Sequence, residues 1–180
     1  MPAPALQFSP HSPSPAPSFY LGAIEAFGAL VTKLESKQAH QLNLNELEDL
    51  IRGLGNEALR QALQSHVDER AATTTVTDSV IGTDLRERTQ AQQHTRAVET
   101  IFGTIEVART GYGEPGLASL HPLDASFNLP TDRHSHAVWH RTAEAVAKNS
   151  FDEVVADINK YTGATEFRLF VDSKGDRRFF

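Results

Sequence analysis

Three histidines fall within seven positions, His134, His136 and His140, with Asp132 just ahead of them. His136 and His140 are four apart, so on a helix both rings reach one ion, the spacing by which helices present zinc ligands. His121 is the further nitrogen ligand such a site would recruit. A zinc protease places a glutamate base between the two histidines. Ala137, Val138 and Trp139 stand there instead and supply none. Helix capping and surface hydrogen bonding are the competing roles, and a position at the start of a predicted helix favours them. A metal-dependent enzyme built on this cluster is the remotest of three readings, and no cofactor is expected.

Other constellations carry less. Gly111-Tyr-Gly113-Glu-Pro-Gly116 has the glycine content of a phosphate loop but no Lys-Ser/Thr after it, so a packed turn is expected. Asp124, Asp132, Asp152 and Glu153 are the acids available for a two-metal site. The last two sit in the first turn of a predicted helix, where acids serve the helix dipole. The chain has no cysteine, which excludes disulfides, cysteine-based zinc sites and a thiol nucleophile. Arg86, Arg88, Arg96 and Arg109 cluster around predicted strands, and Arg133 and Arg141 follow. Guanidinium groups of this kind contact phosphates, and these six are the candidate DNA-contacting residues. Asp84, Glu87, Glu99 and Glu106 interleave with them, as on a solvated charged face.

Charge bears on that choice. The net charge is −6 over 180 residues. It divides as −4 over residues 1–80, −1 over 81–150 and −1 over 151–180, so no segment is basic. A module that binds nucleic acid mainly by neutralising phosphates is basic somewhere. The hydrophobic share of 39% and charged share of 22% are those of an ordinary globular chain. No apolar run reaches the roughly 18 residues a membrane helix needs. The opening Met-Pro-Ala-Pro lacks a basic leader region, so no signal peptide, no membrane partner and a cytoplasmic setting are expected.

The elements that position these residues follow from periodicity. Residues 1–18 are proline- and serine-rich and are expected to form a tail without a core. Tyr20, Ile24, Phe27, Val31 and Leu34, widened by Leu21 and Leu30, predict a helix from Phe19 to about His40 with that stripe inward. Asn45 and Glu48 predict the capping box of a second helix. Leu47, Ile51, Leu54 and Ala58 form one stripe along it. Leu59, Leu63 and Val67 form another. The change of face near Gly53 and Gly55 requires either burial on two sides or a bend. Alternating Thr73–Asp78 is a weak strand pattern, and 90–96 reads as a loop or a strand start. In 96–109, Gly103-Thr104 fits a two-residue turn that pairs Phe102 with Ile105, Thr100 with Val107 and Val98 with Arg109. Glycines and prolines make 111–130 a long packed loop. A helix to about Lys148 opens at Ser135 or Thr131, with Val138, Trp139, Thr142, Ala143 and Val146 inward. Ser150–Glu153 caps a further helix ending at Gly163. The last residues alternate into a small hairpin around Asp172–Gly175.

The expected fold is α+β: a helical hairpin (19–72), a β-hairpin region with an ordered loop (73–131), a helix-turn-helix-like pair (132–163) and a short tail (164–180).

Several of these segments together resemble the N-terminal region of the ISKra family of bacterial insertion-sequence transposases. The matching pieces are LGNEALRQALQSHVDERA (54–71), VETIFGTIEVARTGYG (98–113), SLHPLD (119–124), FNLP (127–130), DRHSH (132–136) and SFDEVVADINKYTG (150–163). The resemblance implies a piece of a DNA-transposition machine whose cutting and joining is done by a later RNase H-like domain with an acidic triad and divalent metal. None of the matching positions belongs to those catalytic motifs, so no catalytic residue is expected and the chain is expected to be a truncated, non-enzymatic front end. ATEFRLFVDSKGDRRFF, from residue 164, departs from the family's next helix. The partners implied are the terminal inverted repeats of the element's DNA, a second copy of the chain, or a full-length transposase. The alternative from another class is a protein–protein interaction module that self-associates through residues 19–70 and has no DNA role.

Overall fold

The structure, a computed structural model, describes residues 18–148 and two short strands, Leu169–Val171 and Arg177–Phe179. The fold is α+β. A short 3-10 turn, Ser18–Tyr20, leads into helix α1 (Leu21–Leu34), and a second, Ala39–Gln41, leads into α2 (Leu44–Thr73). Strands β1 (Val80–Ile81) and β2 (Glu87–Arg88) form an antiparallel ribbon. Strands β3 (Gln90–Thr100), β4 (Gly103–Glu114) and β5 (Leu117–Leu120) form a sheet in that order. Helix α3 (Pro122–Ser126) and helix α4 (His136–Lys148) follow. The terminal strands, β6 (Leu169–Val171) and β7 (Arg177–Phe179), pair antiparallel, which is the hairpin expected there. The predicted helix at 150–163 and the tail at 1–17 lie outside the described residues.

The capping box of α2 sits two residues earlier than Asn45 and Glu48. Asn43 accepts from the Glu46 N–H at 3.1 Å, and the Glu46 carboxylate accepts from the Asn43 N–H at 2.9 Å. Both Asn-x-x-Glu pairs are present in the sequence, and the earlier one satisfies the first free amides of the helix. Helix α2 then runs unbroken for 30 residues through Gly53 and Gly55. Its two stripes reflect two partners. Helix α1 lies antiparallel along it, with Tyr20 Oη donating to Glu69 at 2.9 Å. Near its end Val67 enters the main core with Val98, Ile105, Val107 and Leu123, while Leu63, Ala71, Phe127 and Leu129 pack around them. The expected boundary near residue 72 therefore divides elements that share one core.

The sheet departs from expectation in register. Thr100 pairs with Gly103, Val98 with Ile105 and Arg96 with Val107, so the turn residues are Ile101 and Phe102. Gly103, at φ 117°, takes its positive φ after the turn rather than inside it. Thr100 Oγ1 fixes this by donating to the Gly103 carbonyl at 2.7 Å and accepting from the Phe102 N–H at 3.2 Å. The slip is by an even number of positions, so the same side chains still share a face. Strand β3 begins at Gln90, and β4 continues through Gly111-Tyr112-Gly113 to Glu114, where a loop was expected. Pro115 and Gly116, the latter at φ 79°, turn it back into β5. The Thr73–Asp78 strand is absent. That segment is irregular, and Tyr112 Oη accepts the Thr77 N–H at 3.0 Å.

Candidate functional site

The six arginines fall into two groups. Arg88 is buried. Its guanidinium donates to Asp84 at 2.8 and 3.0 Å, to the Arg86 carbonyl at 3.0 Å and to the Ala118 carbonyl at 2.8 Å. It ties the β1–β2 ribbon to β5, and it holds the Asp84 carboxyl down to about 2 with help from the Arg86 N–H. Arg96 and Arg109 lie half-buried on one face of the hairpin and converge on Asp124 of α3. Arg96 also donates to the carbonyls of Pro130 and Asp132. These three arginines clamp their own chain. Arg86, Arg133 and Arg141 are exposed. The Arg133 side chain, 61% exposed, still donates to the buried Glu99 carboxylate at 2.5 Å.

The histidines do not converge. His134 is buried, its ring edge-on to Trp139, and its backbone N–H donates to the Asp132 carboxylate at 2.8 Å. Burial pulls its pKa below the ordinary histidine value, the Asp132 carboxylate partly opposing. His136 Nε2 is 3.1 Å from the Asn128 carbonyl, and His140 faces Glu144 at 3.8 Å. Ser135 Oγ accepts the Val138 N–H at 3.3 Å and opens α4, while Val138 and Thr142 are buried. Ala143 is exposed rather than inward, and the side chain of Val146 lies outside the described residues. His121 stands instead over Gly111, edge-on to His94, where burial and then Arg109, His94 and Arg96 lower its pKa. Among the described residues no group of three or more His, Asp or Glu side chains is placed to hold a metal ion. Among them, too, no helix is long and apolar enough to cross a membrane.

The unexplained surface lies on α1. Its whole stripe was expected to face inward, but only Tyr20, Leu30 and Leu34 of it turn to α2, together with Ala23 and Ala26. Leu30 is buried and Tyr20, Ala23, Ala26 and Leu34 are half-buried. Leu21 is left 52% exposed, Ile24 53%, Phe27 58% and Val31 39%. The physical reason is that α1 is apolar nearly all round, with Glu25, Thr32 and Lys33 its only polar residues. Periodicity cannot choose a face on such a helix, and the small side chains of Ala23 and Ala26 suit the close contact with α2. A helix apolar on all sides is ordinarily covered on all sides. Gly28 lies in the exposed face, and a Cβ there would meet nothing within 4 Å. A glycine inside a helix costs roughly 0.8–1 kcal/mol relative to alanine. Nothing among the described residues requires it, whereas a helix packing closely from outside would.

No protein-family model, no curated protein and no solved structure matches the chain.

Proposed function

We propose that the chain is the non-catalytic assembly module of an ISKra-like transposase, working in the cytoplasm and associating through the outer face of α1. One observation carries this reading: the unbroken exposed stripe of Leu21, Ile24, Phe27 and Val31. The occupant is a second copy of the same helix, supplied by another such chain or by a full-length transposase that bears it.

Area supports this choice. With Phe19 beside them, these side chains leave roughly 400 Å2 of apolar surface per copy, within the range of the largest functional patches on soluble chains. Two copies offer about 800 Å2, close to the ~65% apolar share of a homodimer interface of ~1,200 Å2. Lys33, one of the two charges on the helix, is held aside by Gln38 Oε1 at 3.0 Å. Sedimentation from ~1 to ~100 μM should show a reversible dimer. A monomer throughout overturns the reading.

Binding to the element's terminal repeats is the second reading. The exposure of Arg86, Arg133 and Arg141 favours it. A gel shift at moderate salt tests it, and retention no stronger on repeat ends than on random duplex refutes it.

A further inference from the structure

The two long edges of the β3–β4 hairpin are treated differently. On the β4 side, Gln64 of α2 stands in for a strand. Its amide accepts the Glu106 N–H at 2.8 Å and donates to the Glu106 carbonyl at 2.8 Å. Arg60 donates to the Thr104 carbonyl at 3.4 Å, and β5 pairs further along. On the β3 side, among the described residues, only the top is closed. The Glu99 N–H donates to the Arg133 carbonyl at 2.7 Å, and its carbonyl accepts the Ser135 N–H at 2.8 Å, a one-residue parallel bridge to His134.

Those two bonds fix which way every other residue of β3 points. Glu99 turns both of its backbone groups outward. The pairing with β4 is continuous from Gln90 to Thr100. In an antiparallel ladder the bonded and free residues alternate. Ala97, Thr95, Gln93 and Ala91 therefore direct their N–H and C=O groups away from β4. Among the described residues none of these backbone groups has a backbone partner. The chain around them is exposed, apart from half-buried Arg96. Natural edges are blunted by lysine, proline, bulges or inward charges. From Gln90 to Ala97 the sequence is Gln-Ala-Gln-Gln-His-Thr-Arg-Ala, with no lysine, proline or bulge, and its one charge, Arg96, is engaged by the Pro130 and Asp132 carbonyls and by Asp124.

We infer that the open edge of β3 over Ala91–Ala97 is a strand-addition site whose occupant is β3 of a second copy, antiparallel about a two-fold axis at His94. In that register Gln93 pairs with Thr95 and Ala91 with Ala97 of the other copy, all outward-facing, giving eight main-chain bonds. Arg96 falls opposite Gln92, so no like charges meet. Thr89 would fall at Glu99, where the bridge to His134 already fills the edge, so the chain's own stub sets the length of the pairing. The product is one six-stranded sheet. The site is separate from α1 and does not depend on the transposase reading.

Residue-resolved amide exchange on the full chain tests it, run also in a Phe27→Ser background to remove any contribution of α1. At ~1 μM the amides of Ala91, Gln93, Thr95 and Ala97 should exchange freely, and at a few hundred micromolar they should be slowed roughly tenfold or more. Thr95→Pro removes an outward N–H without breaking the β3–β4 ladder and should abolish the slowing. Charge reversal tests the register. His94→Lys and His94→Glu each place like charges directly opposite, so each alone should lose the protection, and an equimolar mixture should regain it. Exchange that is free at all concentrations overturns the proposal. So does protection independent of concentration, which would mean an occupant from the same chain, and so does a mixture that fails to restore pairing. A wild-type chain that dimerises while these amides stay unprotected refutes the edge and leaves the α1 reading standing.

Discussion

Phe27→Ser separates the proposed assembly face from the fold. Phe27 is 58% exposed, and a phenylalanine side chain offers roughly 200 Å2, so about 115 Å2 remains for a partner to cover. At ~25 cal/mol per Å2 that is about 3 kcal/mol for each copy, and in a symmetric pair both copies lose it. Serine keeps some of that area, so the expected effect is a dissociation constant raised at least about 100-fold. Serine and phenylalanine have similar helix propensities, so the monomer should melt within about 2 °C of the wild type. Sedimentation equilibrium gives the first quantity and thermal unfolding at low concentration the second. Leu30→Ser supplies the contrast. Leu30 is buried, so this change should lower the melting temperature of the monomer itself. An unchanged mass distribution for Phe27→Ser refutes the reasoning.

Three further outcomes follow from the core and its margins. Val107 is among the most buried side chains, so Val107→Ala should cost about 2–3 kcal/mol and lower the melting temperature by roughly 5–10 °C. A Cβ on Gly111 would lie 2.7 Å from His94 Cδ2 and 2.8 Å from His121 Nε2. Gly111→Ala should therefore destabilise by about 1–2 kcal/mol in urea, and adding His121→Ala should recover part of it. No loss in the single variant would contradict that close approach. For pH, His134 and His121 have folded pKa values below the unfolded one, so the unfolded chain binds their protons first. The stability they contribute is complete above the ordinary histidine value and falls as pH drops from about 7 toward 5. His134→Gln should flatten that slope in denaturation midpoints. Asp84, held down to about 2, acts in a separate window, its contribution lost as pH falls from about 4 to 2.

Much of the fold could be read from side-chain pattern alone. The αα-hairpin, the β-hairpin and the start of α4 are there, because apolar spacing and capping residues are local causes. The misplaced details share another cause. At the hairpin, Gly103-Thr104 satisfied a rule for a glycine inside a turn, but the Thr100 hydroxyl moved the glycine one step past it. At 111–120, glycines and a proline looked like breakers. They instead leave room for His94 and His121 on one side and make the turn into β5 on the other. On α1 every face was apolar, so the buried one was decided by the fit to α2. The candidate DNA residues failed to sort for a related reason. Arg88 and Arg109 look alike in sequence to Arg86, and only the positions of Asp84 and Asp124 separate clamps from surface charges.

That sorting constrains how a chain with net charge −6 could act on DNA. Each neutralised phosphate contributes about −0.9 to the slope of log K against log salt. With Arg88, Arg96 and Arg109 committed internally, the exposed candidates are Arg86, Arg133 and Arg141, of which Arg133 already pairs with Glu99, so contacts through these alone would give a single chain a slope no steeper than about −3 on a terminal-repeat duplex. Such binding is weak at physiological salt. Two copies joined through α1 would double the contacts and raise the effective concentration of the second, so the proposed assembly would turn marginal phosphate contacts into useful retention. Anisotropy between ~50 and ~200 mM salt separates the cases when wild type is compared with Phe27→Ser. The variant should fall near −3 and the wild type should be up to twice as steep. A Phe27→Ser slope of about −5 or steeper would mean that more cations than these three reach DNA, and if Arg96→Gln or Arg109→Gln then made it shallower, the division between clamp and contact drawn from Asp124 would be wrong.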